Sequence, residues 1–273
     1  MSTSTSTSTS TSTSTSTSTS TSATATRPIL IAHRGYSQCY PENTLTGFQA
    51  ALRAGAQCIE FDVQFTADRV PVVFHDTELA RVTGSKGRIQ EISFAALSQL
   101  RASEVDRLGK KFLQEPIPSL QDVLDLLTQW PGATAFVEIK TATVKQFGVA
   151  QVVDVLMSAL KNIQTQCILI SFDWAVLGSA RKAGMSRIGW VIRDWNNESC
   201  LQAQALSPDV LFYDVEKIGT ENLWPGPWQW ALYDIVDPDE ALRWFARGVD
   251  FIETWDIGAM LTDPRLTPEP VDD

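Results

Sequence analysis

The sequence predicts an α/β fold: a closed (β/α)8 barrel of the TIM type, with a β-hairpin after its second strand and a small inserted subdomain. Three observations support this. Short apolar runs alternate with helical patterns along the chain, which is the pattern of a parallel sheet. Eight such runs fall within about 240 residues, the length of one closed barrel. Charged residues and histidines gather at the ends of these runs, where barrel enzymes carry their chemistry.

The elements follow in order. From Ser2 to Ser22 serine and threonine alternate strictly. That stretch has no apolar side chain to offset the entropy of ordering, so residues 1–26 are expected to form a disordered tail. It has neither the basic start nor the apolar core of a secretory signal. The barrel is expected over 27–266, with a short tail over 267–273. Its strands are expected at Ile29–Ala32, Cys58–Val63, Ala135–Ile139, Cys167–Ser171, Ile188–Ile192, Val210–Tyr213, Ala231–Ile235 and Asp250–Glu253. Helical spacing recurs between them, at Asn43–Ala54, Val149–Leu160, Trp174–Ala183 and Pro238–Ala246.

One run breaks the alternation. Val70–Phe74 follows the second strand after the short polar turn Thr66–Arg69, too soon for a parallel crossover. The two runs are therefore expected to form an antiparallel hairpin, which would carry His75 back beside Asp62. Residues 77–120, with Gly84, Gly87, Pro116 and Pro118, form the expected insertion between the second and third barrel strands.

Composition narrows the function. Lys plus Arg total 22 against 32 Asp plus Glu, a formal charge of −10, so the basic footprint of a nucleic-acid binder is absent. No apolar run reaches the roughly 18 residues of a membrane span. An acidic chain that handles phosphates needs a local cation to offset repulsion. Cys39, Cys58, Cys167 and Cys200 show no C-x-x-C spacing and read as free thiols in a reducing, cytoplasmic setting.

Several residues are candidates for chemistry. Glu60 and Asp62 lie two apart on a strand and face the same side, either as a solvated strand edge or as carboxylates sharing a cation. Glu138 and Lys140 end another strand at the same parity, either as an ion pair or as a metal ligand beside a phosphate-binding cation. Together, Glu60, Asp62 and Glu138 offer hard oxygen donors that suit Mg²⁺ or Ca²⁺ rather than zinc. His33 and His75, the chain's only histidines, end two runs expected to converge, and such a pair can deprotonate one oxygen and protonate another. Arg34 offers planar donors suited to a phosphate. Pro41-Glu42-Asn43-Thr44 reads as a helix start capped by Asn43, which leaves Glu42 without a structural reason. The segment 223–230 carries Trp224, Trp228 and Trp230, either packed as a cap on the barrel or available to an acyl chain.

These motifs, Ala32-His33-Arg34-Gly35, Pro41-Glu42-Asn43-Thr44, Ile59-Glu60-Phe61-Asp62-Val63, Val72-Val73-Phe74-His75-Asp76 and Glu138-Ile139-Lys140, resemble those of the glycerophosphodiester phosphodiesterase family. The resemblance continues through Leu79, Arg81, Thr83 and Gly87, then Ile117-Pro118-Ser119-Leu120 and Ser171-Phe172-Asp173, to Thr262-Asp263-Pro264. It implies a TIM barrel and one divalent cation held by Glu60, Asp62 and Glu138. It also implies His33 and His75 as acid and base, with Arg34, Lys140 and Glu42 on the substrate side. The implied substrate is a small glycerophosphodiester, cleaved to sn-glycerol 3-phosphate and an alcohol, with a cyclic phosphate on the way. Where the family usually reads Trp-Thr-Val-Asn, this chain has Tyr233-Asp234-Ile235-Val236, a departure beside the expected alcohol pocket. Two rival readings are a lysophospholipase D-like or sphingomyelinase D-like activity, which the tryptophans would favour, and a binding-only barrel, which loss of a motif residue would favour.

Overall fold

The computed structural model describes Met1, residues 26–220 and residues 222–268. Nearly all of the tail expected over 1–26, and the end of the one expected over 267–273, lie outside the described residues.

The described residues form nine strands: β1 (Ile29–Ala32), β2 (Cys58–Phe65), β3 (Pro71–Val73), β4 (Thr134–Ile139), β5 (Cys167–Ser171), β6 (Ile188–Val191), β7 (Val210–Asp214), β8 (Gln229–Tyr233) and β9 (Phe251–Thr254). Eight of them pair in parallel, and β1 closes the ring by bonding to both β2 and β9. The remaining strand, β3, runs antiparallel to β2 with Val73 opposite Val63. The turn beyond it brings the Phe74 amide to the Asp62 carbonyl at 2.9 Å.

Alternation along the strands sorts side chains into two cores. Ile59, Phe61 and Val63 point outward and pack with Phe48, Leu52, Leu124 and other helix residues. Ile31, Cys58, Phe136, Ile170, Phe212 and Phe251 point inward and fill the barrel. Phe136 meets Phe212 and Phe251 edge-on, at centroid distances of 5.3 and 5.5 Å, and these rings plug the barrel axis. Gly189 makes room for them, because a Cβ there would stand 2.9 Å from the Ile170 side chain and 3.3 Å from Phe212. Each fully buried Leu, Ile or Phe contributes roughly 1.5–3 kcal/mol, so these layers carry the fold.

Helices cover the outside. In Leu45–Arg53 the buried face is Phe48, Ala51 and Leu52, and in Val149–Leu160 it is Val152, Val153, Leu156 and Leu160. The first of these starts later than its apolar pattern suggests. Its cap is Thr44, whose hydroxyl accepts the Gly47 amide, while Asn43 has a positive φ of 58° and turns away from the helix. The stretch 77–120 has its own small core of Leu79, Val82, Ile89, Leu97, Ala102 and Ile117, packed on Val72 and Phe74.

The tryptophan segment packs inward. Trp228 and Trp230 are buried, and Trp224 stacks on Trp195 with ring centroids 4.3 Å apart. Its aromatic surface is spent on the protein, which removes the feature that favoured an acyl-chain reading. Among the described residues, no helix is long and apolar enough to cross a membrane.

Candidate active site

The barrel's inward positions change character toward the carboxyl ends of the strands. On β2, Cys58 is followed at the same parity by Glu60, Asp62 and Gln64, all buried. On β4, Phe136 is followed by Glu138, and Asp62 and Glu138 are register partners across the β2–β4 pairing. Glu60, Asp62 and Glu138 each offer one oxygen, all within 4.8 Å of one another. One Glu60 oxygen, Oε1, is buried without a hydrogen-bond partner.

The surrounding cations share this charge unevenly. Lys140 Nζ lies 3.0 Å from Asp62 Oδ1 and 2.8 Å from Glu138 Oε1. Arg34, in the left-handed region at φ 54°, donates its backbone amide to Glu60 Oε2 at 3.0 Å and brings Nε to 3.3 Å from Asp62 Oδ2. Burial alone would raise Asp62, but Lys140, Arg34 and the Asn43 bond hold it far below the usual carboxylate range. Glu60 goes the other way: burial, then Asp62, Glu253 and Glu138, push it well above that range.

Each histidine has a carboxylate at Nδ1. His75 Nδ1 is 2.7 Å from Asp76 Oδ1, and His33 Nδ1 is 3.4 Å from Asp234 Oδ1. His33 Nε2 lies 3.9 Å from Glu60 Oε2. Burial disfavours charge on His33, yet Glu253 and Asp234 outweigh burial and the Arg34 charge, and its pKa rises. Glu253, at the end of β9, is itself pushed up to about 7 by burial, with Asp234 and Glu138 adding to it against the pull of His33.

A cavity of about 180 Å³ collects His33, Arg34, His75, Glu138 and Lys140 on one side and Phe172, Phe212 and Tyr233 on the other. A cleft of about 340 Å³ adjoins it, sharing His33, Arg34 and Asp234.

Seven of the eight expected site residues border this cavity or form its carboxylate floor, but Glu42 is engaged elsewhere. Its oxygens accept from Arg81 at 2.9 and 2.5 Å and from Arg34 at 3.2 Å, so its charge goes to two guanidinium groups. Arg81 also grips Asp76 at 2.6 and 2.9 Å.

The model of the glycerophosphoryl diester phosphodiesterase family matches residues 33–228, from His33 across most of the barrel. The chain belongs to this family. A glycerophosphodiester phosphodiesterase of Caldanaerobacter subterraneus is 32% identical over 193 residues, covering 67% of this chain and 76% of that protein. Mouse glycerophosphodiester phosphodiesterase 1 is 36% identical over 136 residues, which span 50% of this chain and 38% of the relative. Two solved structures share the fold. One is a putative glycerophosphoryl diester phosphodiesterase of Silicibacter pomeroyi (TM-score 0.77, 23% identity, 88% and 95% of the two chains covered). The other is an Oleispira antarctica phosphodiesterase in complex with sn-glycerol-3-phosphate (TM-score 0.73, 24% identity, 86% and 96% covered).

Within this phosphodiesterase barrel, several residues of the site escaped the sequence reading. Asn43 is not a helix cap: its side-chain Nδ2 donates to Asp62 Oδ2 at 2.8 Å, and its Oδ1 accepts the Asp62 backbone amide at 3.1 Å. Gln64 donates to the carbonyls of Phe74, His75 and Asp76 at 3.0, 2.9 and 2.6 Å, holding the turn that carries His75. Its parity with Glu60 and Asp62 was a usable signal. Asp234 and Glu253 also end barrel strands, another legible position. The Thr262-Asp263-Pro264 motif sits at the end of the helix Ile257–Thr262, whereas Thr254 ends β9 and Trp255 follows it at the cleft.

Proposed function

We propose that this chain hydrolyses glycerophosphodiesters to sn-glycerol 3-phosphate and an alcohol, using one divalent cation and the His33–His75 pair. The observation that carries the reading is a single cavity bordered by two histidines, each held at Nδ1 by its own carboxylate, beside three buried carboxylates.

The carboxylates suit a cation. The unpartnered Glu60 Oε1 and the raised Glu60 pKa mark a repulsion that a divalent ion relieves, and an all-oxygen donor set fits Mg²⁺ or Ca²⁺. Glu60, Asp62 and Glu138 would hold it. When bound, it supplies charge stabilisation to phosphoryl oxygens and acidifies a hydroxyl.

The protein's own groups do the rest. His75 borders the inner cavity and not the adjoining cleft, and there it takes the proton of the glycerol hydroxyl next to the phosphoester. That oxygen attacks phosphorus, and the bond from phosphorus to the alcohol oxygen breaks. His33 borders both the cavity and the adjoining cleft, and its Nε2 gives a proton to the departing oxygen. The product of this half-reaction is a cyclic phosphate. Water then opens it, with the histidines exchanging roles. Arg34 meets the phosphoryl oxygens and Lys140 keeps Asp62 ionised. Glu42 acts on the substrate side through Arg34. Four free thiols support a reducing, cytoplasmic location.

The test is His33→Ala and His75→Ala assayed on glycerophosphocholine, with ³¹P NMR to follow a cyclic phosphate. Each variant should lose about 10²–10⁴-fold in turnover. Near-wild-type turnover in either variant removes the acid–base assignment.

A further inference from the structure

Three carboxylates hold the proposed Mg²⁺ or Ca²⁺, and a fourth is left over. On β9, Glu253 follows Phe251 at the same parity, so it points inward. It lines the same cavity as His33, is only 4% exposed, and accepts no hydrogen bond among the described residues. Burying such a carboxylate costs free energy, and neither the fold nor the chemistry above uses it.

His33, Glu60 and Glu253 each offer one ligand atom, all within 4.8 Å of one another. Glu60 is shared with the Glu60–Asp62–Glu138 group, and its Oε1 is buried without a hydrogen-bond partner. What sets the second group apart is a nitrogen donor. His33 Nε2 stands 3.9 Å from Glu60 Oε2, near the roughly 3.4 Å that separates two ligands of a tetrahedral zinc. On its other side, His33 Nδ1 faces Asp234 at 3.4 Å. A histidine that binds a metal through one ring nitrogen is typically held by a carboxylate at the other.

We propose that His33, Glu60 and Glu253 form a second cation site, selective for Zn²⁺ or a similar transition ion, and that filling it switches the enzyme off. The proposal rests on the phosphodiesterase reading above and adds regulation of the same site. A bound ion takes up the Nε2 lone pair, so His33 has no proton to give the departing oxygen. Imidazole suits Zn²⁺, whereas Mg²⁺ and Ca²⁺ favour oxygen donors alone, so the ion that serves the reaction competes poorly here.

A third group, Glu42, His75 and Asp76, is equally close-set. There Arg81 already pairs with both carboxylates, and a cation would first have to displace its guanidinium. No arginine or lysine pairs with Glu253 among the described residues.

The experiment exploits a chain with only two histidines. Full-length protein saturated with Mg²⁺ is titrated with Zn²⁺. Imidazole ¹H–¹⁵N NMR, assigned with His75→Ala, follows the rings, and release of sn-glycerol 3-phosphate from glycerophosphocholine follows turnover. Zn²⁺ should move the His33 signals, leave those of His75 in place, and lower turnover by about tenfold or more. Further Mg²⁺ should not restore it. Glu253→Gln should raise the half-inhibiting Zn²⁺ concentration by about tenfold or more, each rate being referred to that variant's own zinc-free value. Unmoved His33 signals in the wild type overturn the proposal. So does inhibition that Mg²⁺ reverses, which would place Zn²⁺ on Glu60, Asp62 and Glu138, or inhibition that Glu253→Gln leaves unchanged. Absence of turnover with Mg²⁺ alone overturns the phosphodiesterase reading itself, and the NMR titration then decides the cation site without it.

Discussion

The Asn43 side chain clasps Asp62 at both ends: its Nδ2 donates to the Asp62 carboxylate at 2.8 Å, and its Oδ1 accepts the Asp62 backbone amide at 3.1 Å. The clasp aims one of the three proposed cation ligands, and it requires the positive φ of 58° that Asn tolerates better than most residues. Asn43→Ala should weaken divalent-cation affinity and kcat/KM by about 10–100-fold. Isothermal titration with Mg²⁺ or Ca²⁺ checks this, and unchanged affinity would refute it.

Gln64 supports His75 from beneath, through three carbonyls in a row. Gln64→Leu leaves those carbonyls without their donor, at a cost of about 1–3 kcal/mol. The expected result is a lower Tm and a turnover loss of about tenfold, with cation affinity retained. A variant that keeps full turnover would show that the turn holds itself.

The cation-free protein should lose stability as pH rises from about 5 to 8. Three buried groups set the sign. Burial and neighbouring carboxylates raise Glu60 and push Glu253 up to about 7, and Glu253 with Asp234 raises His33. In this window the folded state therefore binds more protons than the unfolded one, and each group's contribution fades as pH climbs through its folded pKa. Asp62 and Asp76, both lowered, act in the opposite sense but only at acid pH. Calorimetry in EDTA across this range is the check, and a rising Tm would contradict it.

Adding the cation should reverse that slope. Binding favours the ionised form of Glu60, whose pKa burial and its neighbouring carboxylates raise, so affinity rises with pH and protons are released. At one hundred times Kd the gain is about 2.7 kcal/mol. Proton release is measured by titration in buffers of different ionisation enthalpy. No dependence on buffer would mean that Glu60 is already ionised.

The thiols should separate by burial. Cys39 is exposed, whereas burial pushes Cys58 and Cys167 up to about 12. Ellman's reagent at pH 8 should label Cys39 first and reach Cys58 and Cys167 only on unfolding. Rapid labelling of the two buried thiols in native protein would show that the barrel opens.

The barrel was legible because its signals are local. An apolar run such as Cys167–Ser171 can be read from its own residues, as can the two-residue spacing of Glu60 and Asp62. Asn43 misled because a helix-start motif and a carboxylate clasp use the same residue type, and only backbone geometry separates them. Arg81 could be read only as part of the family resemblance, without a role, and Glu104 could not be read at all. Both lie in an insertion of short helical turns, and their partners Asp76 and Glu42 are fixed by how that insertion folds back.

Arg81 gives that insertion a weight beyond its size. One guanidinium grips Asp76, which steadies His75, and Glu42, which steadies Arg34. Without it, two carboxylates at the barrel mouth would lose their shared counter-charge. The insertion is thus wired into the barrel mouth by charge. A version of this chain with the loop shortened would need another cation in the same place.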